Sequence, residues 1–122
     1  MISTNLTIDL TYLYSVSDGN TSFMYMLLAS TIDDVEAKIT NLKTGYEERN
    51  VILVKQTAHS LISLAAIAGI PEVESMCRKI EKDYDGNPEN TEISGIIKEI
   101  ILLWPDASLQ LKDLVAANTI QQ

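Results

Sequence analysis

The chain has 122 residues, a length suited to one domain, and is 46% hydrophobic and 21% charged, which excludes a disordered tail. Nine Lys and Arg face seventeen Asp and Glu, and the resulting net charge of −8 is repelled by phosphate backbones and anionic lipid, which excludes nucleic acid and membrane surface as expected partners. No apolar run, that through Ala65 to Ile70 included, approaches the roughly 20 residues of a membrane span, and Met1 to Leu6 lacks the basic and apolar regions of a secretion signal, so a soluble, cytoplasmic domain is expected.

The N-terminal stretch from Leu6 to Thr11 alternates like a strand, but a single strand has nothing to pair with in an otherwise helical chain. A short helix through Leu10, Leu13 and Tyr14, capped by Asp9, is therefore expected. From Met24 the apolar or small positions run Leu27, Leu28, Thr31, Val35, Ile39 and Leu42, one stripe of a long amphipathic helix that Asn20 starts and Gly45 is expected to end. The next stripe is Val51, Val54, Ala58, Leu61, Ala65 and Ala68, with Asn50 as cap and Gly69 as terminator. Pro71 then opens a helix burying Val73, Met76, Cys77, Ile80 and Tyr84, with Glu72 and Glu74 early and Arg78, Lys79 and Lys82 late, in step with the helix dipole. After the turn Asp85-Gly86-Asn87-Pro88, the last stripe is Ile93, Ile96, Ile97, Ile100, Leu103, Ala107, Leu111 and Leu114. It keeps phase across Pro105, which predicts one kinked helix rather than two. The sum is an all-α, antiparallel up-down four-helix bundle with a short N-terminal helix and a kinked last helix, a single domain over residues 1–122.

No glycine loop for phosphate, no paired metal-ligand spacing and no serine elbow occurs. A lone Cys77 cannot form an internal disulfide and a lone histidine cannot build a metal cage, so neither metal nor cofactor is expected. The acidic pairs Asp33-Asp34 and Asp83/Asp85 read as solvated faces or turns, and Cys77, Trp104 and Tyr84 as packing. His59 is left. On a wheel of about 100° per residue centred on Val54, His59 falls near 140°, toward solvent. Around it lie Ile52, Lys55, Gln56, Ile62, Ser63 and Ala66, an unusually apolar and small surrounding for an outward face and hence a candidate partner surface. The wheel gives exposure and not function, and taken alone it favours an ordinary surface histidine.

Ala58-His59-Ser60-Leu61-Ile62-Ser63, with Ala65 and Gly69, resembles the phosphoacceptor helix of the histidine-containing phosphotransfer (HPt) domain family, whose pattern is roughly Ala-His-x-Leu-Lys-Gly-Ser-Ser with a Gly ten positions after the His. Ile80-Glu81 matches the apolar-Glu pair that ends the family's next helix, and Asp9 to Tyr14 with Ser17-Asp18-Gly19-Asn20 and Phe23 resembles its opening helix and turn. The resemblance covers about residues 8–116. It implies a phosphorelay intermediate and not an enzyme: His59 accepts a phosphoryl group from a receiver-domain aspartate and passes it to another receiver, the magnesium-dependent chemistry belonging to the receiver. Response-regulator receivers and a hybrid histidine kinase are the implied partners of a monomeric carrier. An ordinary imidazole, with a pKa of about 6.5, is substantially neutral at pH 7 and nucleophilic without a dedicated base. Ile52, Ile62 and Ala66 would form the docking collar, exposed around the histidine.

The family's lysine three residues after the histidine, a phosphate clamp that leans back over the ring, is Ile62 here, and the glycine after it is Ser63. Lys55, Gln56 and Ser63 are the expected phosphate-supporting residues, Ser63 also being small enough to preserve access. One ammonium at about 6 Å in water-like dielectric offers only about 0.7 kcal/mol per unit of phosphate charge, so losing the clamp slows transfer rather than forbidding it. Ile62 is the feature that favours the runner-up reading, an HPt-like docking module that binds receivers without accepting phosphate. The seven-residue rhythm of the last helix is the only support for an oligomer-forming bundle, and the start at Met1 favours a stand-alone protein.

Overall fold

A computed structural model describes residues 7–120, with side chains through Asn118. Met1 to Leu6, where the signal-peptide reading and the start of the strand-like alternation fall, lie outside the described residues. Five helices follow in order: α1 (Thr11–Val16), α2 (Thr21–Glu47), α3 (Val51–Ala68), α4 (Pro71–Asp83) and α5 (Thr91–Ile120). The four long helices make the expected bundle. Its core gathers Leu28, Leu42, Val54, Leu61, Cys77, Ile80, Ile97, Ile100 and Leu111, all essentially sealed from solvent, with Leu13 of α1 closing one end.

The caps follow the sequence at most ends. Asn20 and Asn50 each accept a backbone N–H from the third residue of their helix, Phe23 at 3.0 Å and Leu53 at 3.1 Å, which satisfies one otherwise orphaned donor at each start. Asp9 is not the cap it was expected to be: Leu10 occupies the cap position, and the Asp9 carboxylate, one position earlier, accepts from the Thr11 backbone N–H at 2.9 Å. The Thr11 side chain and then its N–H hold the Asp9 carboxyl below its ordinary range.

Gly45 does not end α2. The helix continues to Glu47, and the left-handed residue after it is Arg49, at φ 53°. Gly45 serves close approach instead, because a Cβ there would lie 3.0 Å from Val54 Cγ2 and 3.2 Å from Leu53 Cγ of α3. As expected, Pro105 does not divide the last helix: α5 is one element from Thr91 to Ile120, although the ring removes the N–H that would bond the carbonyl four residues back and crowds that carbonyl. Met76, Ile96 and Leu114 are half-buried at the edge of their stripes. By length and composition α3 would pass as a membrane span, although polar residues interrupt its apolar run. In the bundle Val54, Thr57, Ala58, Leu61, Ala65 and Ala68 of α3 are buried inside the protein.

The corner between α3 and α4 is the tightest point of the fold. Gly69 is left-handed at φ 75°, and the N–H groups of Gly69 and Ile70 return to the Ala66 and Ala65 carbonyls at 3.2 and 3.0 Å. Gly69's own carbonyl accepts the Asp9 N–H at 2.8 Å, which ties the entry of α1 to this corner. A Cβ on Gly69 would clash with the Asp9 carbonyl oxygen, whereas one on Gly95, on the exposed face of α5, would meet nothing within 4 Å. Gly69→Ala is therefore expected to cost at least about 2 kcal/mol, from left-handed strain and the backbone clash. Gly95→Ala is expected to add about 1 kcal/mol, raising the melting midpoint by roughly 4 °C. Thermal melts of the two variants beside the parent check both signs.

Candidate functional site

The core face of α3 fixes where its other residues point. With Ala58 and Leu61 sealed in the core, His59 projects outward, and its side chain is 73% exposed. The ring is nevertheless not free to turn. His59 Nδ1 lies 2.6 Å from Glu81 Oε2 of α4. The α3–α4 hairpin explains this pairing. Ile70 stands midway between the two residues, eleven positions from each, and residues equidistant from a tight antiparallel corner come to the same level. An ionised carboxylate only accepts hydrogen bonds, so Nδ1 is the protonated nitrogen and Nε2 is left with a lone pair facing solvent. Tautomer and ring orientation are thus set by one contact.

Two grooves flank the histidine. One, of about 440 Å³, runs between α3 and α2 and is lined by Asp34, Ala37, Lys38, His59, Ser60, Ser63 and Leu64. The other, of about 520 Å³, lies on the side of α1 and α4, where Ile62, Ser63 and Ala66 meet Tyr12, Pro71, Glu74 and Arg78 among others. Ser63 belongs to both. Ile62 and Ala66 are half-buried and line this second groove, while Ile52 is 69% exposed. The expected collar is thus not one exposed ring: Ile62 packs partly against the core, and Ile52 stands two turns from His59 toward the start of α3.

Of the expected phosphate-supporting residues, Ser63 borders the same groove as His59, whereas Lys55 and Gln56 line neither groove and make no hydrogen bond or ion pair among the described residues. Arg78 is held by Glu74 at 3.0 Å, and Lys79 lies within 2.9 Å of Glu92 and 3.3 Å of Asp83. Cys77 is fully buried, and burial pushes its thiol up to about 12, which makes it an inert core residue. Among the described residues no three His, Cys, Asp or Glu side chains gather as metal ligands.

The sequence reading missed two residues near His59. Glu81 entered it only as half of a motif pair, although counting outward from the Gly69–Pro71 corner would have set it beside the histidine. Lys38, on a different helix, needed the register of α2 against α3.

The Hpt domain family model matches residues 26–117, a span that holds His59 and Glu81 together with all of α3 and α4. The chain belongs to the Hpt domain family. Hpt domains are phosphocarriers of two-component signalling rather than enzymes. The fold is similar to that of the HPt domain from a sensor hybrid histidine kinase of Shewanella, with a TM-score of 0.67 at 14% identity, covering 87% of this chain and 94% of that one. No curated protein matches the chain. Within this Hpt domain the His59–Glu81 contact is solvent-accessible, so its effect on stability is small and its effect on ring orientation is the measurable one. In long-range ¹⁵N–¹H spectra at neutral pH, the neutral ring of the parent should show Nδ1 protonated and Nε2 bare. Glu81→Ala should give a mixture with substantial Nε2–H. An unchanged pattern in the variant would mean that Glu81 does not set the tautomer.

Proposed function

We propose that His59 is the phosphoacceptor of a phosphorelay, taking its phosphoryl group from the aspartyl phosphate of a receiver domain and delivering it to the aspartate of another. The observation that carries this reading is the exposed Nε2, made available by the contact of Nδ1 with Glu81. In the forward step the Nε2 lone pair attacks phosphorus, the P–O bond to the receiver carboxyl breaks, and the aspartate leaves as a carboxylate. The ring gains positive charge as the P–N bond forms. Its Nδ1 proton stays directed at Glu81, whose negative charge stabilises that gain at close range. The return step is the reverse, with the second receiver's carboxylate as nucleophile.

No general base is required, because the attacking nitrogen carries no proton. The magnesium ion that screens phosphoryl oxygens in such a transfer comes with the receiver in this reading, so the chain acts as carrier and contributes geometry. Receiver domains, within response regulators or a hybrid histidine kinase, are the proposed partners, a proposal supported by family membership and by the source of the Shewanella domain. Ile62 and Ala66, half-buried beside the histidine, offer a small apolar floor against which a receiver would rest.

The test is intact mass under alkaline handling after incubation with a phosphorylated receiver and magnesium. The parent should gain one acid-labile phosphoryl group of about 80 Da, and His59→Gln should gain none while melting at the same temperature. Receiver binding that survives His59→Gln with no labelled parent would instead support the docking-module reading, for which Ile62 is the motivating residue.

A further inference from the structure

We infer that Lys38 of α2 binds the phosphoryl group carried by His59 and is the cation that supports transfer, in place of Lys55 on α3. The inference rests on His59 being the phosphoacceptor. A phosphoryl group on Nε2 adds close to two negative charges to a chain whose net charge is already −8, so a local cation matters at this position. The α3 residues near the ring supply little: Ile62 is apolar, and Lys55, one turn earlier, lines neither groove beside the ring. On α4, Arg78 is already paired with Glu74.

Lys38 is different on three counts. It lines the same groove as His59, together with Ser60 and Ser63. It is half-buried, and it forms no ion pair or hydrogen bond among the described residues, so its ammonium is not committed elsewhere. Its height along the bundle also fits. Gly45 of α2 abuts Val54 of α3, and the antiparallel run from that contact brings Lys38, seven residues back, to the level of Leu61, seven residues forward. That is two residues past His59, about 3 Å along the axis. The opposing charge in the groove is Asp34, one turn farther back on α2, which the same count sets level with Ala65 and about 9 Å beyond His59 along the axis. The ammonium on its four-carbon stem is therefore nearer the phosphoryl oxygens than the carboxylate is, and the Ser60 and Ser63 hydroxyls line the path as further donors.

Phosphoramidate tests this without any partner. The Nε2 lone pair attacks phosphorus, the P–N bond of the donor breaks, ammonia leaves, and the Nδ1 proton stays toward Glu81. Labelling rates of the full chain, read by intact mass under alkaline handling, should fall roughly three- to tenfold in Lys38→Ala, as expected for removing one cation near a doubly charged group. Lys38→Arg and Lys55→Ala should stay within about twofold of the parent, and the parent's rate should fall more steeply with added salt than that of Lys38→Ala. Equal melting temperatures would set aside a structural cause. A Lys38→Ala rate within twofold of the parent, or an equal or larger loss in Lys55→Ala, would overturn the role of Lys38 while leaving His59 as acceptor. A parent that takes no phosphoryl group from phosphoramidate or from a receiver would overturn both readings together.

Discussion

The corner at Gly69–Pro71 is the constraint on which the site depends. A left-handed glycine ends α3, a buried Ile70 pins the turn to the core, and a proline with no N–H to lose begins α4 at once. With so little chain in the turn, α3 and α4 run back along each other, and residues equally far from Ile70 become neighbours. His59 and Glu81 are such a pair. The same glycine has no Cβ to block the Asp9 backbone, so the segment leading into α1 is held against the corner by its carbonyl. One conformational requirement therefore fixes the histidine's partner and also the wall of the groove beside it.

A phosphocarrier needs a reactive nitrogen in open solvent on a frame that does not move when a partner presses on it. The two demands conflict, because exposure removes the packing that holds a side chain still. Here α3 answers the second demand with its inner face: alanines at positions 58, 65 and 68 allow close approach of the neighbouring helices, and Val54 and Leu61 fill the space between them. With His59 as the proposed acceptor, the first demand is met by leaving the ring itself 73% exposed and restraining it through a single charged contact. Such a contact adds little to folding stability, since solvent screens it. Its consequence is chemical, because it decides which nitrogen holds the proton.

The bundle was legible in the sequence because it is written in periodicity: apolar steps of three and four, asparagine caps and a proline-glycine corner are local signals, and most of them act where they stand. One exception is Gly45, which reads as a terminator because it is a breaker in isolation. Against α3 it is instead a point of close packing. Pro105 is a breaker too, but the stripe keeps phase on both sides of it, and α5 is the single helix that this phase implied. His59 was legible through the motif around it and through its angle on the wheel. Glu81 and Lys38 were not, since neither is near His59 in sequence, and each comes beside it only once a helix-helix register is known. A wheel sorts the residues of one helix and is blind to what the next helix contributes. For that reason it gathered Lys55 and Gln56, which share a face with the histidine and line neither groove beside it.

The charges around His59 also differ by side. Glu81 approaches the ring from α4 at Nδ1, while Lys38 lines the groove on the α2 side. During transfer to an imidazole, positive charge grows on the ring and negative charge stays on the phosphoryl oxygens, so the two ends of the forming P–N bond call for opposite counter-charges. A carboxylate at the ring nitrogen and an ammonium toward the oxygens match that polarity, and reversing the pair would oppose it at both ends. Neither group is deeply buried, and the modest strength this implies suits a carrier. A phosphoryl group bound by a desolvated cage would be held too tightly to leave, whereas one steadied by water-exposed charges can be surrendered to the next carboxylate.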